Sequence, residues 1–266
     1  KIDNANKIIS NGEVVAVTIS NRLLFDVDFY AKKLINDLNE VINKVYPNNK
    51  NVLGYLWART AKCKNPTCGI MIPLLRDLNA VKKDSHVYGY FFKKNLNELD
   101  IKIKRTPNAD SGFVHRGNLV CPVCKNITDV NEIKNQFKNG VAGERMLAVI
   151  VDGQNHKEYR TPEPEEIINF ESIKLEHNYP NEKMQRNSAG GDTFTWGIDS
   201  YDNLFNKRQL YILSVISDYI NKSYKELKEI HDEEYAKAIS VYLTFGLDRL
   251  ADYYSKFCAW SSSREE

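Results

Sequence analysis

The 266-residue chain lacks any run of apolar residues long enough to span a bilayer, and no signal-peptide pattern opens it. The first absence argues against a helical membrane protein, and the second removes the usual mark of export. Cysteine is scarce: four of the five fall in two short pairs, and Cys258 stands alone. Small secreted disulfide scaffolds are far denser in cysteine, so metal binding by thiolates is the better reading of the pairs. Net charge is nearly absent at +2, and no two prolines are adjacent. The chain starts at Lys1 and ends on Arg264, Glu265 and Glu266 in mid-pattern, which reads as an excised piece of a longer protein.

The charge is unevenly placed. Between Arg59 and Lys125 stand 13 Lys or Arg and 5 Asp or Glu, a local balance of +8 against −6 elsewhere. A basic block in a near-neutral protein suits a phosphate-facing surface, although solvated lysine loops produce the same pattern.

Hydrophobic periodicity outlines the elements. VVAVTI (14–19) reads as a short buried strand. Val27, Tyr30, Leu34, Leu38, Val41, Ile42 and Val45 form one helical stripe over about 26–46, which Pro47 stops. HVYGYFFKK (86–94) and IKIKR (101–105) alternate as half-buried strands do. RMLAVIV, Asp152-Gly153 and HKEYR read as a hairpin whose tight turn requires positive φ. Thr161-Pro162 marks a helix start for EPEEIINFESI, and residues 178–200 read as a long loop. Two long helices close the chain, over about 202–230 and 232–259. Their stripes (Leu213, Ile216, Ile220, Tyr224 and Leu227; Tyr235, Ile239, Tyr242, Leu243, Leu250 and Tyr254) are expected to pack on each other and on the first helix. Asp248, Arg249 and Asp252 are spaced for local helix-surface ion pairing.

The cysteine pairs carry the most specific chemistry. CKNPTC holds Cys63 and Cys68, and CPVC holds Cys121 and Cys124. Such hooks aim backbone amides at sulfur, and four thiolates complete a tetrahedron around zinc with no position left for water. That is a structural site. The 52 residues between the hooks leave room for an elaborated β-insert. His115 lies near the second hook but is surplus to a four-sulfur set, and Cys258 reads as a small buried hydrophobe. The expected fold is α+β: a four-cysteine zinc ribbon with an elaborated β-insert flanked by long amphipathic helices. Its expected parts are an N-terminal strand and amphipathic helix (1–54), a zinc-ribbon β domain (55–160) and a loop with a C-terminal helical region (161–266).

The run YLWARTAKCKNPTCGIMIPLLR (55–76) resembles the zinc-ribbon region of a prokaryotic family of adenine-specific DNA methyltransferases containing a zinc ribbon. NRLLFDV (21–27), VCPVC (120–124), GERMLAVIVDG (143–153), DNLFNKRQL (202–210) and GLDRLADYYSKFCAWSSSRE (246–265) are similar to the same family in the same order. The resemblance implies methyl transfer from S-adenosylmethionine to the amine of a flipped adenine. The family's glycine-rich cofactor loop and its Asp/Asn-Pro-Pro-Tyr/Phe motif are both missing from this sequence. The chain therefore resembles the middle piece of such an enzyme. Catalytic and cofactor-binding residues are none, and S-adenosylmethionine belongs to the full-length parent alone. Lys125 follows the second hook, where many ribbons carry glycine.

The expected sites are zinc on Cys63, Cys68, Cys121 and Cys124, and DNA phosphates on Arg59, Lys62, Lys64, Lys82, Lys83, Lys104, Arg105, Arg116 and Lys125. Lys93, Lys94 and Lys102 belong to the same basic block, and Tyr88, Tyr90, Phe91 and Phe92 are candidates for stacking, with alternate ones in the core. The implied partners are double-stranded DNA and the catalytic remainder or a partner subunit, with no membrane, in a prokaryotic cytoplasm. A structural scaffold and a free-standing nucleic-acid adaptor are the competing readings.

Overall fold

The computed structural model describes residues 7–10, 13–16, 21–47, 50–83, 86–96, 98–167, 173–175, 177–185 and 193–266. Its elements follow in chain order: β1 (Lys7–Ser10), β2 (Glu13–Ala16), α1 (Arg22–Val45), β3 (Val52–Lys62), β4 (Met71–Pro73), β5 (Asn79–Lys83), β6 (His86–Asn95), β7 (Glu98–Arg105), β8 (Val114–His115), β9 (Asn118–Val120), β10 (Ile127–Thr128), α2 (Val130–Lys138), β11 (Gly143–Asp152), β12 (Lys157–Arg160), α3 (Lys207–Ile230) and α4 (Glu233–Tyr253). Helices and antiparallel sheets thus mix in one chain, divided into two compact units. No helix among the described residues is long and apolar enough to cross a membrane.

The first unit joins residues 1–46, 172–179 and 205–258. The backbones of β1 and β2 pair as an antiparallel hairpin, so the expected 14–19 strand is described as 13–16, and residues 17–20 lie outside the described set. Helix α1 starts at Arg22 because the Asn21 side chain accepts from the Leu24 amide, earlier than the apolar stripe alone indicates. It ends at Val45, two residues ahead of Pro47, whose ring disfavours helical backbone at the residue before it. Asn206 and Gln209 form a capping box that starts α3. Tyr30, Leu38 and Val45 of α1 meet Ile212, Ile216, Ile220 and Leu227 of α3 and Ala236, Ile239 and Leu243 of α4, the three-helix core expected from the stripes. Leu250 and Tyr242, both assigned to that stripe, are exposed instead, Tyr242 at 52%. The helical position of Tyr242 falls beside Val241 on the solvent face, one residue out of phase with Ile239 and Leu243.

The second unit, residues 47–171, 180–204 and 259–266, is built from sheets. One four-stranded sheet has the order β12-β11-β3-β4, and a three-stranded sheet has the order β5-β6-β7. Leu56 and Ala58 of β3, Leu147, Ala148 and Ile150 of β11, and Tyr159 of β12 share a core with Val81, Tyr88, Tyr90, Ile101 and Ile103 of the second sheet. The β7 pattern alternates strictly, with Leu99, Ile101 and Ile103 buried and the residues between them exposed. Strand β11 is buried without a break from Met146 to Ile150, as a central strand covered on both faces must be.

The β11–β12 hairpin forms as expected, but its turn works differently. Gly153 is absent from the positive-φ glycines. A Cβ there would lie 2.4 Å from the His156 carbonyl oxygen, so glycine is needed for close backbone approach. The helix after β12 begins at Pro164, with Glu166 reaching back to the Glu163 amide at 2.8 Å. Residues 168–172 lie outside the described set, so the rest of the expected EPEEIINFESI helix is not described. The expected 178–200 loop contains a 3-10 turn at Thr193–Trp196, and residues 186–192 are outside the described set.

Candidate metal centre

Each cysteine pair sits at a turn between two antiparallel strands. The first hook joins β3 to β4, and the second joins β9 to β10. Within the first, the Asn65 side chain accepts from the Thr67 amide and hydroxyl, and the Cys68 and Gly69 amides both donate to the Asn65 carbonyl. The two hooks repeat one geometry. The Cys63 amide donates to the Ile70 carbonyl and the Cys121 amide to the Asn126 carbonyl, both at 2.9 Å. The residue after the second cysteine is left-handed in each case: Gly69 at φ +54° and Lys125 at φ +63°. Glycine takes that conformation freely, whereas lysine pays a Cβ penalty.

All four sulfurs lie within 4.8 Å of one another. Cys63 Sγ is 3.5 Å from Cys124 Sγ, and Cys68 Sγ is 3.8 Å from Cys121 Sγ. A disulfide needs about 2 Å between its sulfurs, so neither pair is bonded. A tetrahedron with metal–sulfur bonds of about 2.3 Å has sulfur–sulfur edges of about 3.8 Å; the Cys68–Cys121 distance equals that figure and the Cys63–Cys124 distance is slightly shorter. Cys63 and Cys121 are buried, and Cys68 and Cys124 are half-buried.

Electrostatics point the same way. Burial pushes the Cys63 thiol up to about 12 and raises that of Cys121. The Asn126 backbone amide pulls Cys124 down to about 6. Two buried thiols that resist ionisation beside one that favours it make a set whose four-thiolate form requires a cation at its centre. His115 is exposed at the end of β8 and is not part of the cluster. Cys258 is exposed, not buried as expected; its sulfur faces the Asp252 carbonyl at 3.3 Å past the end of α4.

Sequence reasoning missed the residues that brace the hooks. Gln136 of α2 is buried and brackets Lys62 twice, accepting from its amide at 2.7 Å and donating to its carbonyl at 3.0 Å. The Thr128 hydroxyl, on the strand leaving the second hook, accepts from the Lys64 amide in the first. Ile70, Ile72, Leu99, Leu119 and Ile133 form the apolar floor around Cys63 and Cys121. The nine-residue helix that carries Gln136 is amphipathic and opens on an Asp129 cap, but nothing in its sequence marks a glutamine as the residue it buries beside Ile133.

The nine expected phosphate contacts divide. Lys62, Lys64 and Lys125 are exposed on the two hooks, and Arg116 is exposed in the β8–β9 turn. Lys82 and Lys104 are exposed on β5 and β7, on the same face of the three-stranded sheet. Arg105 is exposed at the end of β7. Two residues are committed to the fold. Arg59 lies with its guanidinium carbon 3.6 Å from the Phe137 ring centroid and donates to the Trp196 carbonyl at 2.8 Å. Lys83 is ion-paired with Glu265 at 2.7 Å. Comparison with protein-family profiles, with curated proteins and with solved structures finds no match for this chain.

Proposed function

We propose that the four thiolates bind one structural zinc ion, forming a zinc ribbon, and that the ribbon braces the DNA-contacting part of an adenine-specific DNA methyltransferase. One observation carries the metal reading: four sulfurs from two matching hooks at tetrahedral spacing. A four-sulfur tetrahedron suits zinc or iron; a site without an open position serves structure, which zinc does without redox chemistry. The DNA reading is supported by Lys62, Lys64 and Lys125 exposed around the hooks and by Lys82 and Lys104 on the neighbouring sheet. The methyltransferase reading rests on the ordered resemblance of 55–76 and the stretches around it. On that reading the cofactor and the adenine are handled by parts that carry the glycine loop and the Pro-Pro motif.

Metal analysis of the purified chain tests the first step: one zinc per chain is expected, and one iron or none overturns it. Titration of duplex DNA at rising salt tests the second. Affinity should fall steeply with salt, and no binding at low salt refutes it. Calorimetry with S-adenosylmethionine tests the division of labour, since micromolar binding by this chain is incompatible with it.

A second reading is a scaffold that docks a protein partner, favoured by one observation on α4. Val241, Tyr242, Phe245 and Tyr253 are all exposed there at helical spacing. Phe245→Glu should abolish assembly with such a partner while leaving DNA affinity unchanged; unimpaired assembly sinks the reading.

A further inference from the structure

The outer face of the β5-β6-β7 sheet combines features that the phosphate-contact reading leaves unused. In β6, Tyr88 and Tyr90 are buried and Phe92 is half-buried, all on the core side. Phe91 points the other way and is 43% exposed. Directly opposite residues in an antiparallel pair share a face, and Phe91 stands opposite Lys102 of β7. By the same register Gly89 stands opposite Lys104, and Val87 opposite Lys82 of β5. Lys93 completes the row on β6 opposite Asp100, and beyond it Asn95 stands opposite Glu98, so the carboxylates within this strand pair sit towards the β6–β7 turn. Lys82, Lys93, Lys102 and Lys104 are all exposed.

The other end of this face is walled. A Cβ on Gly89 would lie 2.7 Å from Ala109 Cβ and 3.0 Å from Thr106 Cγ2, so the segment after β7 crosses the sheet at that point. The Thr106 amide pins it to the Val87 carbonyl, and the Asn79 side chain holds the Ala109 amide. Two residues further along β6, beyond the wall, the Phe91 ring stands open among lysines.

We propose that this face is a stacking platform for single-stranded nucleic acid, with Phe91 receiving an unpaired base and Lys102 and Lys104 holding the flanking phosphates. Duplex DNA presents phosphates but keeps its bases stacked, so it explains the lysines and not the exposed ring. An aromatic ring in a cationic row fits a base that has left the helix, whatever its identity, because every base has a π-face. The inference rests on the preceding section only in taking nucleic acid as the partner; it needs neither the metal nor the methyltransferase reading.

The test uses the whole chain and two labelled probes, an oligothymidylate and a duplex hairpin, read by fluorescence anisotropy at low salt. Phe91→Ala should weaken oligothymidylate binding about fivefold or more, and Phe91→Leu should do the same because it keeps apolar bulk but loses the ring. Phe91→Trp should restore it, and none of the three should change duplex affinity. Lys102→Gln should lower the salt slope for the single strand by about 0.7. Unchanged single-strand binding in Phe91→Ala, with Lys102→Gln weakening both probes equally, overturns the platform and leaves the DNA reading standing. Failure of the parent chain to bind either probe overturns both. Because the ring is exposed, circular dichroism of the variants should match the parent.

Discussion

Replacing Glu265 with glutamine should destabilise the sheet unit by about 3 kcal/mol at neutral pH and by almost nothing in strong acid. The Glu265 side chain is 6% exposed, and three donors converge on it. Tyr159 donates to Oε1 at 2.7 Å, His86 Nε2 lies 3.1 Å from the same oxygen, and Lys83 pairs with Oε2 at 2.7 Å. Lys157 holds the Glu265 carbonyl at 2.5 Å, while Trp260 Nε1 donates to the Ala80 carbonyl and the Lys82 amide to the Ser262 carbonyl. The segment 259–266 is thereby strapped across β5 and β12 by one buried carboxylate and its neighbours. Burial alone pushes the Glu265 carboxyl up, but the bonds from Lys83, Tyr159 and His86 outweigh it and hold the group at about 2, against an ordinary value of 4.5. Each pKa unit corresponds to about 1.4 kcal/mol, which sets the size of the effect.

The sign follows from the depressed value. The carboxylate's contribution is complete above pH 4.5 and is lost as pH falls from there towards about 2. Thermal melts of parent and Glu265→Gln should therefore differ at neutral pH by roughly 6–12 °C, at about 2–4 °C per kcal/mol for a unit of this size. That gap should close as the pH drops. On the proposed metal-bound reading acid also protonates the hook thiolates, but both proteins share that loss and the difference cancels it. A gap that stays constant with pH, or one under about 1 kcal/mol at neutral pH, would show that the strap is not held by the charged group.

Three further substitutions test separate devices. Arg160 holds Glu166 through two 2.8 Å bonds, and Glu166 is fully buried, so Arg160→Met should cost about 3–5 kcal/mol by urea melt; a loss below about 1 kcal/mol would mean that the carboxyl simply takes up a proton. Lys125→Gly relieves a left-handed lysine and should stabilise the second hook by about 1 kcal/mol, seen as a raised Tm, while Lys125→Ala gains nothing. Gly153→Ala forces the turn away from the His156 carbonyl and should lower stability by about 1–3 kcal/mol, whereas a conformational preference alone would leave it unchanged, because Gly153 is not at positive φ.

What the sequence made legible was local. The two cysteine pairs gather because each hook is a short turn whose own backbone sets the sulfur positions, so residue type and spacing suffice to recognise them. The stripes of α1, α3 and α4 identify their shared core because a helical period of about 3.6 residues has one solution for which face is buried. The helix starts at Asn21 and Asn206 lay outside those stripes, since capping depends on a side chain one turn before the apolar pattern begins. The long pairing of β3 with β11 joins strands far apart in the chain, Trp57 standing opposite Met146, and no local period encodes such a partner.

Charge was the least legible property, and the reason is geometric. Arg59, Lys83 and Lys104 look alike in a basic block, yet their fates are set by what the opposite element offers. Arg59 meets the Phe137 ring and the Trp196 carbonyl, where a planar guanidinium stacks and donates at once. Lys83 meets a buried carboxylate that arrives from the far end of the sequence. Lys104 meets only Gly89 across the strand pair, on a face that strand alternation turns outward. The same alternation turns Phe91 out beside Lys102, which a charge count cannot register. A basic block therefore offers an open cationic face only where strand register leaves its cations on one side without carboxylates opposite. In this unit Lys82, Lys102 and Lys104 meet that condition, Lys102 directly opposite Phe91, whereas Arg59 and Lys83 do not.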